Sequence, residues 1–264
     1  MERRLPGLGL RAEGAVVNPT KLCEIEDFSD PDLAQVVRRL SSGTGGPAVA
    51  PGQRPWLVAM AVLALTGSEA MPDGARVITV GAGVEPVLSM LAERVGDVSG
   101  AEWSDIARLG YPDEAFDAAV CGPIEGVGDL ATVSGAAAAI GRVLKIGGVL
   151  SLSTRFRLHG PPGAVGWPGN ALLLSADELH RYVVEPSGLA LVGDLQEHVS
   201  DGTMSARRDL RAAASGDVVV TGPDQAAGPV VTAGGYVFTM AHLLLRKTKA
   251  VSYTHLTLPT IYSV

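Results

Sequence analysis

The segment Arg76-Val77-Ile78-Thr79-Val80-Gly81-Ala82-Gly83-Val84-Glu85 constrains this chain more than any other. Its β-branched residues fit the pleated surface of a buried parallel strand. Two glycines then let the backbone turn tightly and approach a ligand closely, and a helix is expected from about Pro86. A strand that breaks into a glycine turn and a helix is an arrangement that receives nucleotide-type cofactors.

From Ala75 onward, segments of strand and helix character alternate. Strands are expected at 76–80, 116–121, 148–154, 189–194 and 236–245, and helices at 86–95, 129–143 and 175–184. This implies an α/β fold, a single sheet with helices on both faces. Asp129 or Thr132 is placed to start the middle helix, and Gly147 and Gly148 after Lys145 are placed to end it. Upstream, a helix over 30–40 has Ser29 or Asp30 as cap and Pro31 in its first turn, and is expected to act as a lid or docking helix. A Gly/Ser linker at 41–47 leads to a helix at 54–65 that is apolar on most sides and so should be buried against the sheet.

Charge and cysteine content narrow the function. With 28 Asp and Glu against 21 Lys and Arg, a net charge of −7, the chain lacks the basic face that duplex nucleic acid requires. A small-molecule or peptide substrate is expected instead. Cys23 and Cys121 lie far apart without CxxC spacing, which suits a reducing cytoplasm and indicates neither a disulfide framework nor a structural metal. The longest apolar segment, 56–65, is too short to span a bilayer, so neither export nor membrane anchoring is expected.

Three segments in order resemble the class I S-adenosylmethionine-dependent methyltransferases, of the methyltransferase type 11 kind. They are the glycine motif Gly81-Ala82-Gly83-Val84-Glu85, the stretch from Tyr111-Pro112-Asp113 through Phe116-Asp117-Ala118, and the turn Arg142-Val143-Leu144-Lys145-Ile146-Gly147-Gly148. The resemblance covers about residues 75–155. It implies a Rossmann-like sheet, mostly parallel with an antiparallel edge strand, and S-adenosylmethionine as cofactor. It also implies that Gly81, Ala82 and Gly83 pass close to the methionine part of the cofactor, with Glu85 nearby. Asp105 matches the acid that contacts the adenine amino group, Ile106 the residue that packs on the ring, and Cys121 borders the same pocket. Methyl transfer to a small acceptor then needs mainly alignment and, for a hydroxyl or amine, a base.

Two features depart from the family. Relatives carry an acid at the end of the second strand to bind the ribose hydroxyls, and Glu102, 21 residues beyond Gly81, stands at about that distance. Residues 95–103 are nevertheless poor strand sequence, with Gly96 and Gly100 among them, and only 13 residues separate Glu102 from Phe116. A parallel crossover takes a dozen or more, so one strand–helix unit is expected to be lacking and the ribose anchor to be weak or missing. On the acceptor side, relatives place a histidine after the acid of the loop following the fourth strand, and Gly126 takes that position here. Glu125, and His159 beyond the strand at 148–154, are the remaining candidates for catalysis, and Trp167 could floor an acceptor pocket.

The chain thus divides into a helical extension with linker at 1–52, a methyltransferase-like domain at 53–250, and a tail at 251–264. Val-Ser-Tyr-Thr-His-Leu-Thr-Leu-Pro-Thr in the tail resembles a translated sequencing-adapter read, and the tail is expected to be non-native. Two functions follow. One is methyl transfer to a small molecule, with impaired cofactor binding; the other is a non-catalytic domain of the same fold serving as a partner-binding or regulatory module.

Overall fold

The computed structural model describes residues 18–43, 53–68, 71–160, 172–205, 208–209, 230–233 and 236–249. Most of the expected linker, Trp167 and the tail 251–264 lie outside them. The chain first forms a two-residue strand β1 (Lys21–Leu22), a 3₁₀ turn (Ile25–Ser29) and helix α1 (Pro31–Gly43). Asp30 caps α1, its carboxylate accepting from the backbone N–H of Asp32 at 3.0 Å and of Leu33 at 2.8 Å. Leu33 and Val36 are buried in one hydrophobic cluster with Trp56 of α2 (Gln53–Gly67), which makes α1 a docked helix. α2 buries residues around most of its circumference, as its sequence requires.

The alternating segment then opens with β2 (Ala75–Val80), α3 (Glu85–Met90) and β3 (Val95–Ala101). β3 corrects the sequence reading: the residues judged poor strand formers pair in parallel with the whole of β2, from Ala75↔Val95 to Val80↔Ala101. Gly96 is required there, because a β-carbon at this position would stand 2.6 Å from the Gly74 carbonyl oxygen. α3 is shorter than expected because the chain must already be extended at Val95.

After β3 the chain makes only one 3₁₀ turn (Ile106–Arg108) before β4 (Phe116–Cys121). β3 therefore forms the outer edge of the sheet, and the connection crosses β2 without a helix. α4 (Leu130–Val143) follows, capped by Asp129, whose carboxylate accepts from Thr132 N–H at 2.7 Å. Gly147 and Gly148 do not end this helix. Strand β5 (Leu144–His159) starts directly at its C-cap, so both glycines lie within the strand. β5 continues well past its last pairing with β4, Cys121↔Leu152.

A short β6 (Leu173–Leu174) pairs with that extension. Next come α5 (Ala176–Leu179), a π turn (His180–Val184) and α6 (Glu185–Ser187), so the helix expected at 175–184 runs three residues further. The strand expected at 189–194 is only β7 (Ala190–Leu191), followed by α7 (Asp201–Ser205), β8 (Arg208–Asp209), β9 (Val230–Ala233) and the long β10 (Tyr236–Arg246).

The sheet order is β3-β2-β4-β5-β10-β9-β8, parallel from β3 to β5 and antiparallel from β5 to β10 and from β10 to β9. This is the expected mixed α/β sheet, mostly parallel in its central part with an antiparallel side. Alternate residues supply two cores. Ile78, Phe116, Ile140 and Leu152 pack on one face, and Val77, Val120, Leu65 and Leu244 on the other. A buried polar pair joins β5 and β10. His242 Nδ1–H donates to the Pro19 carbonyl at 2.5 Å, and its Nε2 accepts from the Ser151 hydroxyl at 2.9 Å. Burial holds this imidazole neutral and pushes its pKa down to about 4.

Candidate functional site

The glycine turn sits at the carboxyl ends of the central strands, where open α/β sheets form ligand crevices. Gly81 and Gly83 have φ of +76° and +82°, conformations that a residue with a β-carbon adopts only under strain. Backbone hydrogen bonds fix the turn between its neighbours: Gly81 N–H donates to Ala101 O at 2.9 Å, and Gly122 N–H to Val80 O at 3.0 Å. The loop after β4 presses against it, since a β-carbon on Gly122 would stand 2.2 Å from the Ala82 carbonyl oxygen.

Beside this turn lies an open cleft of about 410 Å³, lined by Thr79, Gly81, Gly100, Glu102, Asp105 and Leu109. β3 is what brings Glu102 there, because the acid follows the last residue of the strand directly. Glu102 is exposed. Asp105 is divided between the cleft and Arg108, whose guanidinium lies 2.5 Å from its carboxylate. Of the sequence-predicted residues, Gly81, Glu102 and Asp105 are therefore gathered at one cleft.

Others are placed differently. Ala82 and Gly83 form the exposed tip of the turn, and Glu85 is exposed at the first position of α3, outside the cleft lining. Ile106 is buried in the hydrophobic core, so Leu109 and not Ile106 supplies the apolar wall. Cys121 is also a core residue, and desolvation raises its thiol pKa far above the usual range. Its sulfur backs the sheet end without lining the cleft. In each case the face of the local element decides, and spacing along the sequence carries no sign of it.

Glu125 and His159 are not brought together as a pair. His159 is the exposed last residue of β5, opposite Val237 of β10. Glu125 instead meets Arg155, with 2.6 Å between the guanidinium and the carboxylate. Two residues further along β5, Arg157 is nearly buried, donating to the Leu173 carbonyl at 3.2 Å and pairing with Glu178 at 3.1 Å. Sequence reasoning missed both arginines. Their alternation in Arg155-Phe156-Arg157 past the end of β4 was the available signal. It also missed Thr79 and Trp103, whose indole is 1% exposed beneath the glycine turn.

Among the described residues no helix is long and apolar enough to cross a membrane, and no group of three or more His, Cys, Asp or Glu is placed to hold a metal ion. No protein-family model and no curated protein matches the chain. Solved structures do. The [4+2]-cyclase SpnF is 25% identical, with 61% of this chain and 70% of that chain covered and a TM-score of 0.36. Geranyl diphosphate C-methyltransferase from Streptomyces coelicolor A3(2), in complex with Mg²⁺, geranyl diphosphate and S-adenosyl-L-homocysteine, is 14% identical, covers 83% and 99%, and has a TM-score of 0.43. The YcgJ protein from Bacillus subtilis is 15% identical, covers 71% and 98%, and has a TM-score of 0.40. These likenesses add nothing to the fold class, which rests on the strand order and registers above.

Proposed function

We propose that this chain binds S-adenosylmethionine in the cleft beside Gly81 and transfers its methyl group to a small-molecule acceptor. The observation that carries the reading is the convergence of the positive-φ glycine turn with Glu102 and Asp105 at the ends of β2 and β3. Two carboxylates next to exposed backbone suit a ligand rich in hydroxyl and amino donors. Glu102 is positioned for the ribose hydroxyls, Asp105 for the adenine amino group, and Leu109 for the apolar contact. The sulfonium of the bound cofactor supplies an already activated methyl group, so the protein has mainly to align the acceptor and exclude water. Glu125 and Arg155 border the acceptor side, where Glu125 is the group able to hold a hydroxyl or amine.

Because β3 is the edge of the sheet and its exit carries only a 3₁₀ turn, the adenosine half of the cofactor has less wall than its methionine half. Binding is accordingly in the micromolar range or weaker. Calorimetric titration with S-adenosylhomocysteine and, separately, with a nicotinamide dinucleotide tests the assignment. Saturable binding of the first and none of the second is expected; the opposite pattern, or no heat from either, contradicts it. One observation favours the second reading, a non-catalytic module: the Glu125 carboxylate is engaged by Arg155. Tight S-adenosylmethionine binding with no S-adenosylhomocysteine formed across a broad panel of hydroxyl, amine and carbon acceptors would support that reading over methyl transfer.

A further inference from the structure

Trp103 carries an anomaly that packing alone does not explain. The residue follows Glu102 directly, its side chain is 1% exposed, and its indole Nε1–H has no hydrogen-bond partner among the described residues. An unmade bond on a buried donor is unfavourable, and native structures seldom leave one without a reason. The contrast within the molecule is direct: the equally buried Trp56 donates its Nε1–H to Asp27 at 2.7 Å. The polar edge of Trp103 faces the glycine turn, since Cδ1 and Nε1 both lie 3.0 Å from the point where a β-carbon on Gly81 would stand. Gly81 in turn lines the cleft that Glu102 and Asp105 border.

We propose that Trp103 is a ligand-responsive donor, whose indole N–H turns from the Gly81 backbone to a hydroxyl oxygen of the molecule that occupies the cleft. The inference rests on the cofactor assignment above and extends it to a residue that the glycine motif does not include. The chemistry of the neighbours selects a hydroxyl. Glu102 and Asp105 are acceptors that repel a second carboxylate but take hydrogen bonds from hydroxyl groups. A hydroxyl that donates to a carboxylate keeps its oxygen lone pairs for another donor, and its acceptor strength rises as the bonds polarise one another. Glu102 and Trp103, adjacent in the chain, would thus hold one sugar hydroxyl from both sides. Trp103 acts here as a positioning and specificity residue and takes no part in bond making.

The test uses the full chain with S-adenosylhomocysteine as probe, followed by calorimetry, tryptophan fluorescence and the ¹H–¹⁵N resonances of the indoles. Addition of the probe is expected to move the Trp103 Nε1–H resonance and leave that of Trp56 in place. Trp103→Phe, which keeps an aromatic ring in the core, is expected to bind the probe about five- to tenfold more weakly and to lose the fluorescence change, with circular dichroism unaltered. Adenosine alone is expected to move the same resonance, whereas a response to homocysteine and not to adenosine overturns the hydroxyl assignment. If the wild-type chain binds the probe but the Trp103 resonance stays fixed, or Trp103→Phe binds as tightly, the proposal fails while the cofactor assignment stands. If the wild-type chain does not bind the probe at all, both fail. Should Trp103→Phe not fold, the wild-type resonance decides the matter by itself.

Discussion

The two sides of the carboxyl-end crevice are built by different means. On the glycine-turn side, the geometry comes from backbone: positive φ at Gly81 and Gly83, the Gly81–Ala101 hydrogen bond, and the full parallel register of β2 with β3. Of the two acids it presents, Glu102 is exposed and Asp105 is shared with Arg108. On the β5 side, a strand that outruns its neighbour is held by side chains, with Arg155 on Glu125 and Arg157 on Glu178 and Leu173. Its charged groups are paired with one another. A turn set by backbone leaves Glu102 open to a ligand, whereas a surface set by ion pairs must open a pair to make a new contact.

Substitutions should expose this difference, beginning with the turn. Gly81→Val places a β-branched residue at a φ of +76° and drives its β-carbon against Trp103, so a loss of about 3 kcal/mol or more is expected. Gly83→Val has the same kind of backbone strain at +82° but no atom within 4 Å of the added carbon, and should cost only about 1–2 kcal/mol. Thermal melts should separate the two by several degrees. Equal melting temperatures would remove Trp103 from the account of the turn.

The other side stands on β5 and β10, and the buried His242 makes it sensitive to acid. The group's pKa is about 4 in the fold against 6.5 for a free histidine side chain, so below pH 6.5 the unfolded chain takes up the proton first. The stability present above pH 6.5 is therefore lost progressively down to about pH 4, by about 3 kcal/mol in all. Urea unfolding at pH 7.5, 6 and 5 should show this slope in the wild type and a flatter one in His242→Asn. An unchanged slope in the variant would assign the effect elsewhere. The smallest change is expected from Glu125→Gln. Its partly exposed pair with Arg155 contributes no more than about 0.5 kcal/mol, and S-adenosylhomocysteine affinity should stay within about twofold, as titration can verify.

Legibility in the sequence followed burial. The strand stretches Val77–Val80 and Ala118–Cys121 are covered on both faces, so their residues are continuously apolar or β-branched and could be read directly. β3 could not be read that way. As the edge strand it is mostly exposed, and its glycines, which look like breakers, let the backbone pass close to Gly74. The same reason hid where Glu102 stands, since an acid after an unrecognised strand looks like a loop acid. Ile106 and Cys121 face the core, which only the packing of the 3₁₀ turn and of β4 decides. Trp103 had no local signal, because its significance lies in a contact with Gly81, a residue on another strand end.

The central claim is that β3 is a true second strand that delivers Glu102 to the cofactor. Calorimetric titration of S-adenosylhomocysteine into the wild type and Glu102→Gln tests it most directly. Charge-assisted hydrogen bonds to ribose hydroxyls contribute about 1.5–3 kcal/mol each, so the variant should bind at least about tenfold more weakly at unchanged melting temperature. Asp105→Asn, already shared with Arg108, should lose less. Wild-type affinity in Glu102→Gln would contradict the claim, leaving β3 as an edge strand with no part in the site.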